Sequence, residues 1–217
     1  MAKQVEQYLP ILDELEKPGI DSEGVEKVYA KWAEEYDKDM VTLSYTQPSV
    51  CAAELEKFLK NNKDALILEA ACGTGLGGIE LTKRGFHNLH AFDMCSKMLE
   101  KAKQKNIYKK VMCMRLGPEG LDIPDDTYDA VMMTGAVGNA HMDGSCLGEF
   151  IRIVKPGGYV VMDTIVKYLN GSEYGGKSWD ELIDDFLMAG RWVTVTRRQV
   201  ENAFNSLDGT QYAFQVK

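Results

Sequence analysis

Two acids and a run of glycines carry the first chemical signal in this chain. The stretch LILEAACGTGLGG, Leu66 to Gly78, passes from an apolar run to Glu69 and then to Gly73, Gly75, Gly77 and Gly78. A glycine turn between a strand and a helix lets backbone approach a ligand closely, and the first N–H groups of the helix stay free to donate. Several ligands use such a loop. A Walker A phosphate loop is excluded, because no Lys-Ser or Lys-Thr follows the glycines. The dinucleotide pattern G-x-G-x-x-G is approached, with Gly78 at its third glycine, so a nicotinamide dinucleotide stays open on the loop alone.

Glu69 and Asp93 narrow the choice. A carboxylate at the mouth of the loop repels a pyrophosphate and attracts an ammonium group. Asp93 ends the next strand candidate, where an acid accepts hydrogen bonds from two ribose hydroxyls. Met94 follows, with a flexible thioether suited to an adenine face. Ribose, adenine and an amino-acid ammonium without phosphate together describe S-adenosylmethionine. Methyl transfer from a sulfonium needs an in-line nucleophile about 3 Å away, so orientation is the main demand. Beyond the fourth strand candidate the segment TGAVGNAHMDG offers His141 as a general base, with Asn139 and Asp143 as polar positioning groups. The bland alternative for His141 is a surface residue beside a helix. His87 and His90, on the approach to the second strand, read as structural. No metal site is expected: Cys51, Cys72, Cys95, Cys113 and Cys146 form no close pairs and read as reduced thiols.

These residues sit on a repeated alternation. Strand candidates ALILEA, LHAFD, VMCMRL, YDAVMMTG and YVVMDTIV are separated by helix candidates LGGIELTKRG, SKMLEKAKQKN and GSCLGEFIRIVKPGG. Short apolar runs between amphipathic helices suit a parallel sheet covered on both faces. After the helix candidate SWDELIDDFLMAG, two strand-like segments, WVTVTRRQV and QYAFQVK, close the sequence, with SLDGTQ read as the loop between them. Ahead of the core, DSEGVEKVYAKWAEEYDKDM reads as one helix capped at Ser22, its stripe Val25, Val28, Tyr29, Trp32 and Tyr36 spaced by three and four. A second helix is expected from Pro48 to Lys60. Residues 1–62 are thus expected as a helical lid and 63–217 as the core of one domain. The stripe is plain core packing, a cover that excludes water from the reaction, or both. Tyr168 and Tyr174, in the glycine-rich segment KYLNGSEYGGKSW, are further pocket candidates.

The 217 residues carry a net charge of −8 and a pI near 5.0. Nucleic-acid binding rests on cationic neutralisation of phosphates, so that partner class is disfavoured. No apolar run has the length of a membrane span, and MAKQVEQYLP has neither the basic flank nor the apolar core of a leader. The expectation is a cytoplasmic monomer.

The motifs LILEAACGTGLGG, LHAFDMCSKML, IPDDTYDAVMMTGA and IVKPGGYVVMDT resemble the successive motifs of class I S-adenosylmethionine-dependent methyltransferases, and VYAKWAEEYDKD resembles the helix ahead of the core in many methyltransferases of small molecules. The resemblance runs from about Val25 to the end. It implies an α/β, Rossmann-like, seven-stranded, mostly parallel sheet with an antiparallel last strand, helices on both faces and an N-terminal helical lid. Glu69 and the loop Ala71, Gly73, Thr74, Gly75 and Leu76 would hold the methionine part, Asp93 the ribose, and Met94 the adenine. Where the family usually carries an acid for the adenine amine this chain reads RLGPEG, which leaves backbone near Leu116 and Gly117. Thr134, Gly135 and Ala136 would face the sulfonium, and Tyr29, Trp32 and Tyr36 would cover the cofactor.

The Asn/Asp-Pro-Pro-aromatic tetrad of many amine methyltransferases of bases and glutamine is replaced by Thr134-Gly135-Ala136-Val137. With the acidic charge, this favours a small-molecule acceptor. The alternatives are a protein side chain as acceptor, a Rossmann oxidoreductase, and a cofactor-binding protein with a regulatory or scaffolding role.

Overall fold

The computed structural model describes residues 9–117, 119–138, 140–169 and 177–217. Its centre is a seven-stranded sheet in the order β3-β2-β1-β4-β5-β7-β6. The strands are β1 (Ile67–Ala70), β2 (Leu89–Asp93), β3 (Lys110–Cys113), β4 (Tyr128–Met133), β5 (Val154–Ile165), β6 (Trp192–Phe204) and β7 (Leu207–Val216). Strands β1 to β5 are parallel, and β7 lies antiparallel between β5 and β6. The expected architecture, one reversed strand in an otherwise parallel sheet, is the observed one.

The continuous apolar runs are explained by burial on both faces. Ile67, Ala130, Met132 and Val161 pack on one face against α4 (Gln47–Leu59) and α5 (Leu76–Lys83), through Cys51, Leu55 and Leu81. Their neighbours Leu68, Val131, Val160 and Met162 pack on the other face with Phe150 of α7 (Ser145–Ile153) and Trp179 of α8 (Trp179–Met188). Helix α6 (Ser96–Gln104) carries Leu99 and Ala102 against Ala91 of β2.

Three helices precede this core: α1 (Leu9–Leu15), α2 (Ser22–Trp32) and α3 (Tyr36–Thr42). The single helix expected over residues 21–40 is two. A bend follows Trp32, whose Nε1 donates to Asp39 Oδ2 at 2.7 Å, and it folds the Tyr36 ring edge-on against Trp32 at 4.9 Å. The cap is also one residue earlier than expected, since Asp21 rather than Ser22 accepts from the Gly24 amide. Val25, Val28, Trp32, Met40 and Leu43 form one cluster with Leu76, Met94 and Ala140, residues that follow β1, β2 and β4. The N-terminal helices therefore lie on the ends where those strands release their loops.

At the other end of the chain the expected loop SLDGTQ is shorter. Asn205 and Ser206, both at positive φ, turn β6 directly into β7, and Leu207 to Gln211 are already strand. A two-residue turn with both residues left-handed matches the twist of a hairpin. All five cysteines are free thiols. Among the described residues, no helix is long and apolar enough to cross a membrane.

Candidate active site

The loop after β1 is held open by its backbone. Ala71, Gly73 and Gly75 all have positive φ, and Gly75, at +90°, caps α5. A Cβ on Gly75 would stand 2.7 Å from the Tyr108 hydroxyl, and one on Gly77 would stand 2.5 Å from Glu69 Oε1. Gly75 is therefore demanded by close approach and by conformation, and Gly77 by close approach alone. The Cys72 amide donates to Phe92 O at 3.0 Å, which ties the loop to β2.

Both acids lie in the same cavity, of about 170 Å³, whose lining includes Glu69, Gly73, Asp93, Met94 and Gly135. Glu69 is only 2% exposed. Burial pushes its carboxyl up to about 7, against the opposing hydrogen bonds from Tyr108 and from the Gly78 and Gly77 amides at the start of α5. The Tyr108 hydroxyl donates to Glu69 Oε2 at 2.5 Å. Asp93 accepts from the Gly73 amide on Oδ2 and from the Cys95 amide on Oδ1, each at 2.8 Å. Its carboxyl is likewise raised by burial and drawn back by those backbone donors. With the Met94 amide also bonded to it, the Asp93 carboxylate keeps acceptor capacity for a ligand.

Of the remaining residues singled out from sequence, Tyr29, Tyr36, Ala71, Thr74, Leu76, Leu116, Thr134, Ala136, His141 and Asp143 also line this cavity. Trp32 lies behind it and lines an adjoining cavity instead. The lining passes from Leu116 to Thr134 without Gly117. Asn139 and Tyr174 lie outside the described residues, as does the side chain of Tyr168. Asp143 serves the start of α7: its Oδ1 takes the Ser145 amide at 2.9 Å and hydroxyl at 2.5 Å. His90 bonds the Tyr128 hydroxyl at 3.1 Å, in keeping with a structural role.

His141 has a partner that sequence did not reveal. Its Nε2 lies 2.9 Å from the Tyr29 hydroxyl, across 112 residues of chain. Thr74 is joined to the N-terminal helices in the same way: its hydroxyl donates to Asp37 Oδ1 at 2.5 Å, and Lys105 bridges Asp37 Oδ2 and Thr74 O, each at 2.6 Å.

Around Gly135, a residue the sequence singled out, three others were passed over: Asp163, Tyr45 and Gln47. Gly135, at φ +58°, donates its amide to Asp163 Oδ1 at 2.9 Å, and a Cβ there would meet the Tyr45 hydroxyl at 2.3 Å. Asp163 is 2% exposed, takes Cys51 Sγ at 3.5 Å on its other oxygen, and is pushed up to about 7 by burial. Gln47 is equally buried, and its side-chain amide serves the Asp163 carboxylate. An acid inside the apolar run YVVMDTIV was a readable signal for Asp163. Tyr45 and Gln47 had none, because only the packing of α4 under β5 and β7 brings them to Gly135.

The donor set fits S-adenosylmethionine: two buried carboxylates with spare acceptor capacity, a cradle without Cβ atoms at Gly73, and Met94 beside Tyr29 and Tyr36. Comparison with known proteins agrees. Residues 68–162 match the model of a methyltransferase domain. The chain is 35% identical over 165 residues to Methyltransferase-like protein 27 of Homo sapiens, an alignment covering 76% of this chain and 66% of that protein. It is 30% identical over 125 residues to a demethylmenaquinone methyltransferase of Corynebacterium glutamicum (strain R), covering 57% and 51% respectively. The chain thus spans about half to two thirds of the length of these relatives. A chain of the complex between the Haloferax volcanii Trm112 methyltransferase activator and a putative methyltransferase shares the fold, with a TM-score of 0.64 at 14% identity, covering 87% of this chain and 97% of that one. Acid-ended strands, the glycine loop between them and these relatives lead to one assignment: the chain belongs to the class I S-adenosylmethionine-dependent methyltransferases.

Proposed function

We propose that this protein transfers the methyl group of S-adenosylmethionine to a small-molecule acceptor. The observation that carries this reading is the joint placement of Glu69, Asp93, Gly135 and His141 around one cavity that abuts a second. When bound, the cofactor supplies a methyl group already activated on a sulfonium, so the chain must bind, orient and exclude water. Asp93 accepts the ribose hydroxyls. Glu69, as a carboxylate, receives the ammonium. Met94, Tyr29 and Tyr36 provide the apolar cover for adenine and the sulfonium. Helices α1 to α3 act as the lid, without α4, which packs on the sheet, and the Thr74–Asp37–Lys105 contact is the latch on the loop.

The Tyr29–His141 pair offers a route for a proton. With Nε2 accepting from the Tyr29 hydroxyl, the atom presented to the acceptor is Tyr29 Oη. A proton leaving the acceptor passes to Oη as Oη passes its own to Nε2. His141→Asn should then lower turnover by ~10²–10⁴-fold while S-adenosylhomocysteine affinity changes little. Unaltered turnover would leave orientation as the chain's whole contribution.

The first test is calorimetry. S-Adenosylhomocysteine should bind and NAD should not; the reverse result would return the protein to the oxidoreductases. Consumption of labelled S-adenosylmethionine across a metabolite library then separates an enzyme from a binding protein, and parallel reactions with protein extracts test side-chain acceptors.

A further inference from the structure

Tyr108 reaches the cofactor site from behind. It lies in the connection between α6 and β3 and is not among the residues that line the cavity. Asn106, at φ +54°, turns the chain out of α6, and the Lys109 amide donates to Leu89 O at 2.8 Å. The connection is thus fixed on both sides of Tyr108. The ring packs with Cys72, Ala91, Leu99 and Ala102, between the sheet and α6. Its hydroxyl lies so close to Gly75 and Gly78 that a Cβ on either would collide with it, and it donates to Glu69 Oε2 at 2.5 Å. We infer that Tyr108 is a positioning residue for cofactor recognition: by taking one oxygen of Glu69, it aims that carboxylate's remaining acceptor capacity at the ammonium of S-adenosylmethionine. The inference rests on the methyltransferase reading and extends it to a residue that touches no ligand.

Two observations argue for it. The first is the division of the carboxylate. Oε2 faces Tyr108, Oε1 stands against Gly77, and the Gly77 and Gly78 amides add two donors from the start of α5. A carboxylate has about four acceptor sites, so these three donors leave one for the cavity that Glu69 lines. The second is protonation. Burial above all, and then the charge of Glu69, push the Tyr108 phenol well above its usual value, so it remains a donor. Burial favours neutral Glu69, and the Tyr108 hydrogen bond is the strongest influence opposing it, ahead of Gly78, Gly77 and Lys105. Lys105, at the end of α6, is already bonded to Asp37 Oδ2 of α3 and to Thr74 O. Within the loop, burial pushes the Cys72 thiol well above its usual value, and Asp93 of β2 shares the cavity. Among these neighbours only Tyr108 gives Glu69 a side-chain hydrogen bond.

The test uses the whole chain and two ligands that share adenosine and sulfur. S-Adenosylhomocysteine carries the amino-acid end, and 5′-methylthioadenosine lacks it. Tyr108→Phe keeps the ring that fills the space and removes only the hydroxyl; circular dichroism checks that the variant is folded. Calorimetry at about pH 7 should show S-adenosylhomocysteine weakened about five- to twentyfold and methylthioadenosine changed by less than about twofold. The loss should shrink toward about pH 9, where Glu69 ionises without the phenol. In a Glu69→Gln background the same substitution should alter the ratio of the two affinities by less than about twofold, because the hydroxyl acts through the carboxylate. Equal weakening of both ligands overturns the proposal and leaves Tyr108 as a brace for the loop. Unaltered S-adenosylhomocysteine affinity in Tyr108→Phe overturns it too, as does a full effect that persists without the Glu69 carboxylate. A wild-type chain that binds neither ligand sinks the cofactor reading itself. A wild-type chain that binds both equally keeps the adenosine site but removes the ammonium contact, and the role of Tyr108 with it.

Discussion

The two adjoining cavities are built in opposite ways. The first is made at consecutive strand ends, Glu69 after β1, Asp93 after β2 and Gly135 after β4, where backbone amides and buried acids set its shape. The second is made of side-chain faces from the N-terminal helices, β5 and the last hairpin, where rings and aliphatic groups stand beside Gln47 and His141. Polar geometry of the first kind is brittle, because each acid is also part of the loop that it serves. Apolar surface of the second kind tolerates change if volume is kept.

The sharpest way to break the comparison is Asp93→Ala. By the proposed role of Asp93 it would remove two charge-assisted ribose contacts, and it strands the Gly73 and Cys95 amides, so S-adenosylhomocysteine affinity should fall by roughly 10²–10⁴-fold. Calorimetry on a variant that is folded by circular dichroism decides this; near-wild-type affinity means the ribose lies elsewhere. A substitution of similar size in the second cavity, Met40→Ala, should leave that affinity within a few-fold.

Glu69 should make cofactor binding depend on pH. In the free protein its carboxyl titrates at about 7, whereas an ammonium beside it favours the ionised form. Affinity should therefore rise with pH by up to about tenfold per unit below about pH 7 and then level off. Proton release on binding, read from calorimetry in buffers of different ionisation enthalpy, checks the sign, and Glu69→Gln should abolish it.

Asp163, behind Gly135, is a smaller effect on stability rather than on binding. Its carboxyl is raised from 3.8 unfolded to about 7 folded, so the folded state holds the extra proton. Its contribution is full below the unfolded value and is lost as pH rises through about 7. The melting temperature should decline over that window, and Asp163→Asn should flatten the decline by a few degrees, about 2–4 °C. An identical slope in the variant would assign the pH dependence to other groups.

The smallest expected change is at the latch. Asp37→Asn weakens the ties to Thr74 and Lys105, of which Asp37 is the more exposed partner. S-Adenosylhomocysteine affinity should drop only about two- to fivefold, since exposed pairs are weak. Amide exchange in residues 22–42 should speed up in the variant and slow in the wild-type chain when product binds. Unchanged exchange in both would reduce these helices to ordinary core packing.

The sheet and the first cavity were readable from the chain because their information is local. Apolar runs of strand length, an acid at the end of each of two runs, and glycines where φ is positive or a Cβ would collide all follow from neighbours a few residues apart. The same local reasoning misjudged the bend after Trp32, because a contact from Trp32 to Asp39 and a second ring on the stripe decide it. It also lengthened the last loop, where two left-handed residues complete the turn unaided by glycine. Of the second cavity it found wall residues such as Tyr29, Trp32 and His141 but none of the pairings that close it. Tyr29 meets His141 across 112 residues, and Cys51 meets Asp163 across another 112, so neither pairing leaves a periodic trace. Gln47, on a helix start far from Gly135 in sequence, becomes a buried donor only when α4 packs beneath the sheet. Covalent neighbours determined where this chain can hold its cofactor, and tertiary packing alone decided what can lie beside it, since apolar walls are drawn from wherever the fold brings side chains together.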